Sequence, residues 1–433
     1  MSRPYLSAGR LRGAASRVRT FAGGAALVLA FGCAPAAPPA TAAAPGVPAG
    51  RPYVVMLSFD GFRHDYPERW QLPALARMAR DGARAAALVP TFPSKTFPNH
   101  YSIATGLRPG RHGLVGNEMW DPAFHARFLT ANDETSGDAR WYGGEPIWVT
   151  AERQGVKAAT YFWPGSNAAI GGVRPSYWKP YDITVPDSVR IDAMLAWLRL
   201  PPAERPHLVL GYLSDVDEAA HRHGPDGPEA RAAAELVDRM LARLRDGIAR
   251  LSIADSVTVV VVSDHGLART DSVEYLDEYA SLGDTVAAVT AATYAQLFFD
   301  GDGGKTERAW SALRRLPHAR VWKRADLPAR FHLRENPRAG DVFVLMDPPF
   351  TIDRSRRGRP AGWRPGGGNH GYDTTLPDMH GIFFAAGPRV VPGSRLGAVE
   401  NVNVYPFVAA LLGLQPAPGI DGSLAATRPV LRR

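Results

Sequence analysis

VTVVVVSDHG, residues 257–266, sets six β-branched residues in a row and then turns to a carboxylate and an imidazole. An uninterrupted apolar run of this length, with no polar alternation, reads as a strand buried on both faces, the state of strands in a parallel sheet. YVVMLSF (53–59) and HLVLGYL (207–213) share the pattern, and GIFFAAG (381–387) is a weaker fourth. Helical patterns lie between them: LPALARMARDG (72–82), EARAAAELVDRMLARLRDGI (229–248) and YPFVAALLGL (405–414). Strands alternating with helices predict an α/β fold, a doubly wound and mostly parallel sheet. Residues 285–365 break the pattern with strand-like YAQLFFD, helix-like ERAWSALRRL, HARVWKRADL and DVFVLMDPPF, which predicts a small α+β insertion. There is no internal repeat.

In open α/β sheets, functional groups collect at the carboxyl ends of strands. Asp60 ends the first run, in SFDGF, and Asp264 and His265 end the run quoted above. Carboxylates on one sheet edge repel each other unless a cation lies between them. The plainer reading of each is a cap on the turn that follows. In YLSDVDEAAHRHGP (212–225), Asp217 and His221 are four apart, so a helix would set them on one face, with Asp215 and His223 as near-equivalent competitors. The plainer reading there is a polar loop. His370 stands in GGGNHGYD, whose glycines allow a close backbone approach. Asp60, Asp217, His221, Asp264, His265 and His370 together have the donor chemistry of a site holding two metals about 4 Å apart.

PTFPSKTFPNHYSIATG (90–106) supplies a nucleophile candidate, Thr96. Pro98 at the first position of a helix would put Thr96 at its N-terminal mouth, where free N–H groups favour an anion. A Thr hydroxyl attacks only when a base or metal activates it; otherwise it would serve as a cap.

The chain has 433 residues, 45% of them hydrophobic and 21% charged, enough to bury a large core. Of the 50 basic residues that outnumber 42 acidic ones to give +8, five arginines fall in the first 20, where no acid occurs, so the remainder carries only +3. That is weak support for nucleic-acid binding, and no nucleic-acid-binding module is recognisable. The single Cys excludes an internal disulfide and a Cys-based zinc site. Residues 1–33 read as an export signal: an Arg-rich start, the short apolar core FAGGAALVLAFG (21–32) and then Cys33, an acceptor for lipid if Ala30-Phe31-Gly32 serves as a lipobox. The Ala/Pro-rich stretch 34–50 reads as a tether, 51–425 as the catalytic domain and 426–433 as a tail. The expected location is the periplasm, either soluble after cleavage in the Ala-rich stretch or held to a membrane through Cys33.

KTFPNHYSIATGLRPGRHGLVGNEM (95–119), with SFDGF before it and Asp217–His221, SDHG and NHGYD after it, resembles the nucleotide pyrophosphatase/phosphodiesterase family of the alkaline phosphatase superfamily, in its bacterial type. The resemblance implies Thr96 as nucleophile, one Zn²⁺ on Asp60, Thr96, Asp264 and His265, and a second on Asp217, His221 and His370. It implies Asn117 as a hydrogen-bond donor to a phosphoryl oxygen, and Phe97 and Tyr181 as aromatic surfaces for a base. Where the family usually has Pro-Asp-x-x-Gly-His, this chain has Val216-Asp217-Glu218-Ala219-Ala220-His221, and Thr374 follows Asp373 where the family often has Asn. The implied activity is zinc-dependent hydrolysis of nucleotide phosphodiester or pyrophosphate bonds through a covalent threonine intermediate. A lipid or phosphocholine phosphodiesterase on the same site, or a non-catalytic metal or ligand receptor at the surface, are the alternatives.

Overall fold

The computed structural model describes residues 50–360 and 363–432; the leader, Cys33 and nearly all of the tether lie outside them. An eight-stranded sheet carries the fold. In spatial order its strands are Ser394–Glu400, Ala83–Val89, Phe383–Ala386, Val257–Val262, Tyr53–Phe59, Leu208–Leu213, Ala158–Tyr161 and Tyr177–Lys179. Seven run parallel. Phe383–Ala386 runs against both its neighbours, so GIFFAAG joins the sheet in the opposite sense from its three companions. Burial on both faces gives it the same apolar reading, because the pattern carries no direction.

The three apolar runs 53–59, 207–213 and 257–262 are adjacent at the centre, with Val54 opposite Leu208 and Thr258 in register. Alternate residues face two cores. Val54, Met56, Leu210, Val260 and Val262 look to one side, while Val55, Leu57, Val209, Val259 and Val261 look to the other. Helix Pro228–Ala249 buries Ala230, Ala234, Val237, Leu241, Leu244 and Ile248, a 4-3-4-3-4 spacing that sets one apolar stripe on the second core. From that stripe Asp238 reaches the N–H groups of Ala74 (3.0 Å) and Leu75 (2.9 Å), at the start of helix Pro73–Asp81. This buried carboxylate meets donors that the helix itself cannot satisfy.

Ala287–Thr290, Tyr294–Phe298, Val342–Met346 and Ala319–Lys323 form a separate four-stranded antiparallel sheet, joined by helix Gly303–Leu313 and filled by Leu297, Leu313, Val342 and Val344. This module braces the loop carrying His370: Thr293 Oγ1 donates to His370 O (3.0 Å), and Arg320 and Arg330 both hold the buried carboxylate of Asp373. Residues 426–432, read from sequence as a tail, pack on the domain instead. Val430 is buried, and its carbonyl accepts from Val391 N at 2.9 Å. Among the described residues, no helix is long and apolar enough to cross a membrane.

Candidate active site

Because the three central strands are parallel and level, their carboxyl ends open on one edge. Asp60 follows the middle strand, Asp264 and His265 follow one neighbour, and helix Asp215–His223 starts just after the other. Gly61 makes the closeness possible: at φ +68 it sits where a Cβ would come within 2.9 Å of Asp217 Cα. A Cβ on Gly367 would meet His221 O at 1.9 Å, so the glycines before His370 are there to let that loop lie on helix Asp215–His223.

Thr96 is the first residue of helix Thr96–Thr105, and Pro98 is its third rather than its first. The proline is tolerated there because none of the first four N–H groups of a helix has an intrahelical acceptor. Thr96 is therefore not the cap. Its Oγ1 lies 3.4 Å from His265 Nε2. Asn117 Oδ1 accepts from Phe97 N (2.9 Å), which turns the Asn117 amide N–H₂ away from the helix.

The ligand candidates fall into overlapping groups. Asp217, His221 and His370 offer atoms within 4.8 Å of one another, and so do Asp60, Asp217 and His265. Each imidazole has its Nδ1 at a backbone carbonyl: His221 at Gly368 O (2.9 Å), His370 at Ser94 O (2.7 Å) and His265 at Gly266 O (3.2 Å). An Nδ1–H donated in this way leaves a lone pair on Nε2, the arrangement that orients metal-ligating histidines. His265 Nε2 then faces Asp264 Oδ2 at 3.0 Å and Asp60 Oδ1 at 3.4 Å, and His221 Nε2 faces Asp217 Oδ1 at 3.4 Å. Asp60 Oδ1, Asp217 Oδ1 and Asp264 Oδ2 are buried without a hydrogen-bond partner. Lone pairs opposed to buried carboxylate oxygens need a cation between them. Burial, followed by repulsion from Asp264 and Asp217, drives the Asp60 carboxyl far above its usual range. Burial also raises Asp264, but His265 and His100 outweigh it and hold that carboxyl well below its usual range. His370 is kept neutral mainly by burial and then by His265, Lys95 and His221. The site fits metal binding on its donor chemistry. Asp215 and His223 stand outside these groups, and His223 is exposed.

Supporting residues to which the sequence reading assigned no role surround the ligands. Tyr212 OH donates to Asp60 Oδ2 (2.5 Å). His100, one turn after Thr96, reaches Thr96 O (2.9 Å) and Ser58 Oγ (2.8 Å). Lys95 Nζ donates to Asn369 Oδ1 (3.2 Å), which also accepts from His370 N (2.9 Å). Only His100 carried a sequence signal, its four-residue spacing from Thr96.

A cavity of about 500 Å³ opens beside Thr96 and Asn117, walled by Phe97, Tyr181, Phe162 and Trp163, with Asp60 and Asp217 at its base. Tyr181 is 52% exposed at the mouth, edge-on to Phe162 at 5.2 Å. A family model described as type I phosphodiesterase / nucleotide pyrophosphatase matches residues 54–373. The chain belongs to that family. This phosphodiesterase-family chain is 36% identical over 398 residues to bovine ectonucleotide pyrophosphatase/phosphodiesterase family member 3, covering 89% of this chain and 45% of the bovine protein. It is 33% identical over 383 residues to a venom phosphodiesterase of Crotalus durissus collilineatus, covering 86% of this chain and 46% of that protein. It thus spans less than half the length of these relatives. Mouse ectonucleotide pyrophosphatase/phosphodiesterase 5, solved as an inactive threonine-to-alanine variant in complex with AMP, superposes with a TM-score of 0.81 at 28% identity, over 88% of this chain and 100% of that one.

Proposed function

We propose that this chain hydrolyses phosphodiester or pyrophosphate bonds of nucleotides through a covalent nucleotidyl intermediate on Thr96. The observation that carries the reading is the placement of the Thr96 hydroxyl. It stands at a helix mouth, 3.4 Å from His265 Nε2, between a cluster of unpartnered carboxylate oxygens and an aromatic-walled cavity. The mouse relative carries AMP and is inactive as a threonine-to-alanine variant, which supports both the nucleotide and the threonine.

Asp60, Thr96, Asp264 and His265 would hold one Zn²⁺, and Asp217, His221 and His370 the other; three imidazoles among the ligands favour zinc over magnesium. Bound zinc would lower the pKa of the Thr96 hydroxyl and neutralise charge on the phosphoryl group. Thr96 Oγ attacks phosphorus in line, and its proton passes to solvent. The leaving oxygen departs on the opposite side, toward Asp217, His221 and His370. Asn117 Nδ2–H and the Thr96 backbone N–H at the helix mouth donate to the non-bridging oxygens. Phe97 and Tyr181 hold the base of the retained nucleotide. Water entering from the leaving-group side then breaks the Thr96 Oγ–P bond and releases a nucleoside monophosphate.

The reading also includes location. Its basis is the sequence alone: the Arg-rich leader and apolar core support export to the periplasm, either as a soluble protein or held to a membrane through lipidated Cys33.

One experiment tests the substrate class. The zinc-loaded protein is given a nucleotide diester, a nucleotide monoester and a phosphocholine ester at equal concentration. Turnover of the diester far above the other two is the expected result. Dominant phosphocholine turnover would transfer the site to lipid substrates, and no turnover at all would make it a receptor.

A further inference from the structure

One imidazole beside the candidate ligands has no part in the reaction described above. His100 is wholly buried on helix Thr96–Thr105, one turn after Thr96. It offers an atom within 4.8 Å of Asp60 and Asp264, as a metal ligand does. Its hydrogen bonds exclude that role. Nδ1 lies 2.9 Å from Thr96 O, which can only accept, so Nδ1 carries a proton and donates it. Nε2 lies 2.8 Å from Ser58 Oγ. This is the one hydrogen bond of the Ser58 hydroxyl among the described residues, and a buried hydroxyl hydrogen needs an acceptor, so Nε2 accepts. Neither ring nitrogen has a lone pair open to a metal.

The contacts of His100 join three elements. Ser58 stands two residues before Asp60 in strand Tyr53–Phe59, and Thr96 opens its helix. Asp264, just after strand Val257–Val262, brings Oδ2 to 3.3 Å from the same Nδ1. Trp163 and Tyr212 meet the ring edge-on, each with centroids 5.2 Å away. Trp163 walls the aromatic cavity, and Tyr212 holds Asp60. The ring is thus held at its far end and by two aromatic neighbours, and the Thr96 carbonyl is what it holds in turn. The first residue of a helix needs such a tie, because its own N–H has no intrahelical acceptor.

We propose that His100 is a positioning residue for the nucleophile: its Nδ1–H clamps the Thr96 carbonyl and so aims Thr96 Oγ1 at the reacting phosphorus. The proposal rests on the reading of Thr96 as nucleophile given above. A displacement of about 1 Å at a reacting group costs about a hundredfold in rate, so a clamp on its backbone acts on kcat.

Two substitutions divide the ends of the ring. Asn sets its amide nitrogen at the place of Nδ1 and keeps the bond to Thr96 O. Gln sets its amide nitrogen near the place of Nε2 and keeps the bond to Ser58. Gln also fills more of the ring's volume and leaves the smaller cavity. Packing alone would favour His100→Gln over His100→Asn in both Tm and kcat, whereas positioning favours His100→Asn in kcat. The assay is hydrolysis of a nucleoside monophosphate p-nitrophenyl ester by the zinc-loaded variants, with zinc content and Tm measured on the same preparations. The expected result is a kcat at least roughly tenfold lower in His100→Gln than in His100→Asn, with KM within about twofold and zinc content unchanged in both. A kcat equal in the two, or higher in His100→Gln, would overturn the proposal. So would loss of zinc from both, which would make His100 a ligand. If neither variant folds, Ser58→Ala decides, since it keeps the ring and frees its far end. A kcat at least about threefold lower at unchanged KM supports the clamp, and an unchanged kcat overturns it. Thr96→Ala separates the proposal from the reading beneath it. If that variant is inactive while the His100 pair is equal, the clamp alone falls. If Thr96→Ala turns over at the wild-type rate, the nucleophile reading falls and the clamp with it.

Discussion

Asn117 is held by one bond, and the proposed mechanism uses another of its groups. Its Oδ1 takes the N–H of Phe97 at 2.9 Å, which leaves its amide hydrogens to donate elsewhere, in the proposed mechanism to a phosphoryl oxygen. Asn117→Ala removes that donor. Loss of one such donor to a developing oxyanion costs about 10²–10³ in kcat, or about 2.7–4 kcal/mol. The cost to folding is far smaller. Phe97 N belongs to the first turn of helix Thr96–Thr105, and both residues are only half-buried, so water can replace the lost acceptor at about 0.5–1 kcal/mol. Zinc content and KM should stay near wild type, because Asn117 touches none of the ligand atoms. The assay is steady-state hydrolysis of a p-nitrophenyl nucleotide ester, with zinc measured on the same preparation and Tm measured in parallel. Asn117→Asp is the sharper variant: it can still take the Phe97 N–H, but it presents a second oxygen to the phosphoryl group and should be at least as slow as Asn117→Ala. If Asn117→Ala keeps kcat within about threefold of wild type, a barrier change under about 1 kcal/mol, Asn117 is not a transition-state donor and its Phe97 contact is only architectural.

Further outcomes follow from other parts of the molecule. Chelation should abolish turnover and Zn²⁺ should restore it better than Mg²⁺, since three of the ligands are imidazoles; full recovery with Mg²⁺ alone would contradict the ligand set. Tyr181→Ala should lower kcat/KM on a nucleotide diester by a stacking contribution of about 1–3 kcal/mol while sparing a small alkyl diester, and an unchanged value on the nucleotide would remove Tyr181 from substrate binding. Burial and then Asp215 push the Asp187 carboxyl up to about 8, against the pull of Arg190 at 3.3 Å. The folded state thus keeps a proton that the unfolded chain releases above pH 3.8, so this contribution to stability is full below pH 3.8 and is lost as pH rises toward about 8. Asp187→Asn should flatten the decline of Tm across that window, and an identical Tm profile in the variant would discount the protonated pair. Cys33→Ser should free the exported protein from membranes at unchanged specific activity, while wild-type protein already soluble in the periplasm would rule out the lipid anchor.

The centre of the fold was legible because the three longest apolar runs are strands buried along their whole length. The edges were not. ARAAALV (83–89) and SRLGAVE (394–400) alternate weakly, carry Ala and Arg, and owe their strand state to pairing with each other and with the sheet. The antiparallel sense of Phe383–Ala386 could not be read either, since an apolar run has no direction. Most candidate ligands were legible for a related reason: Asp60, Asp264 and His265 follow readable strands whose ends the sheet makes level, and Asp217 and His221 lie one helical turn apart, whereas His370 was marked only by the glycines around it. Tyr212 was hidden because it belongs to the strand Leu208–Leu213, where an aromatic reads as core, and only its hydroxyl contact to Asp60 separates it from packing. The linkage of Lys95 to His370 through Asn369 joins residues 274 apart in sequence, which no local pattern reports. The start of helix Thr96–Thr105 was placed two residues late because proline is permitted throughout a first turn, not only at its first position.

The central claim is a covalent bond from Thr96 Oγ to phosphorus. It is tested most directly by mixing zinc-loaded protein with a nucleotide diester, quenching in acid within the first turnover, and measuring the mass of the peptide that contains Thr96. The account predicts a nucleotidyl adduct on Thr96, and a Thr96→Ala protein that keeps its zinc, forms no adduct and turns over at no more than a few per cent of wild type. An unmodified peptide, together with a Thr96→Ala protein of near wild-type activity, would make water the direct nucleophile and contradict the account.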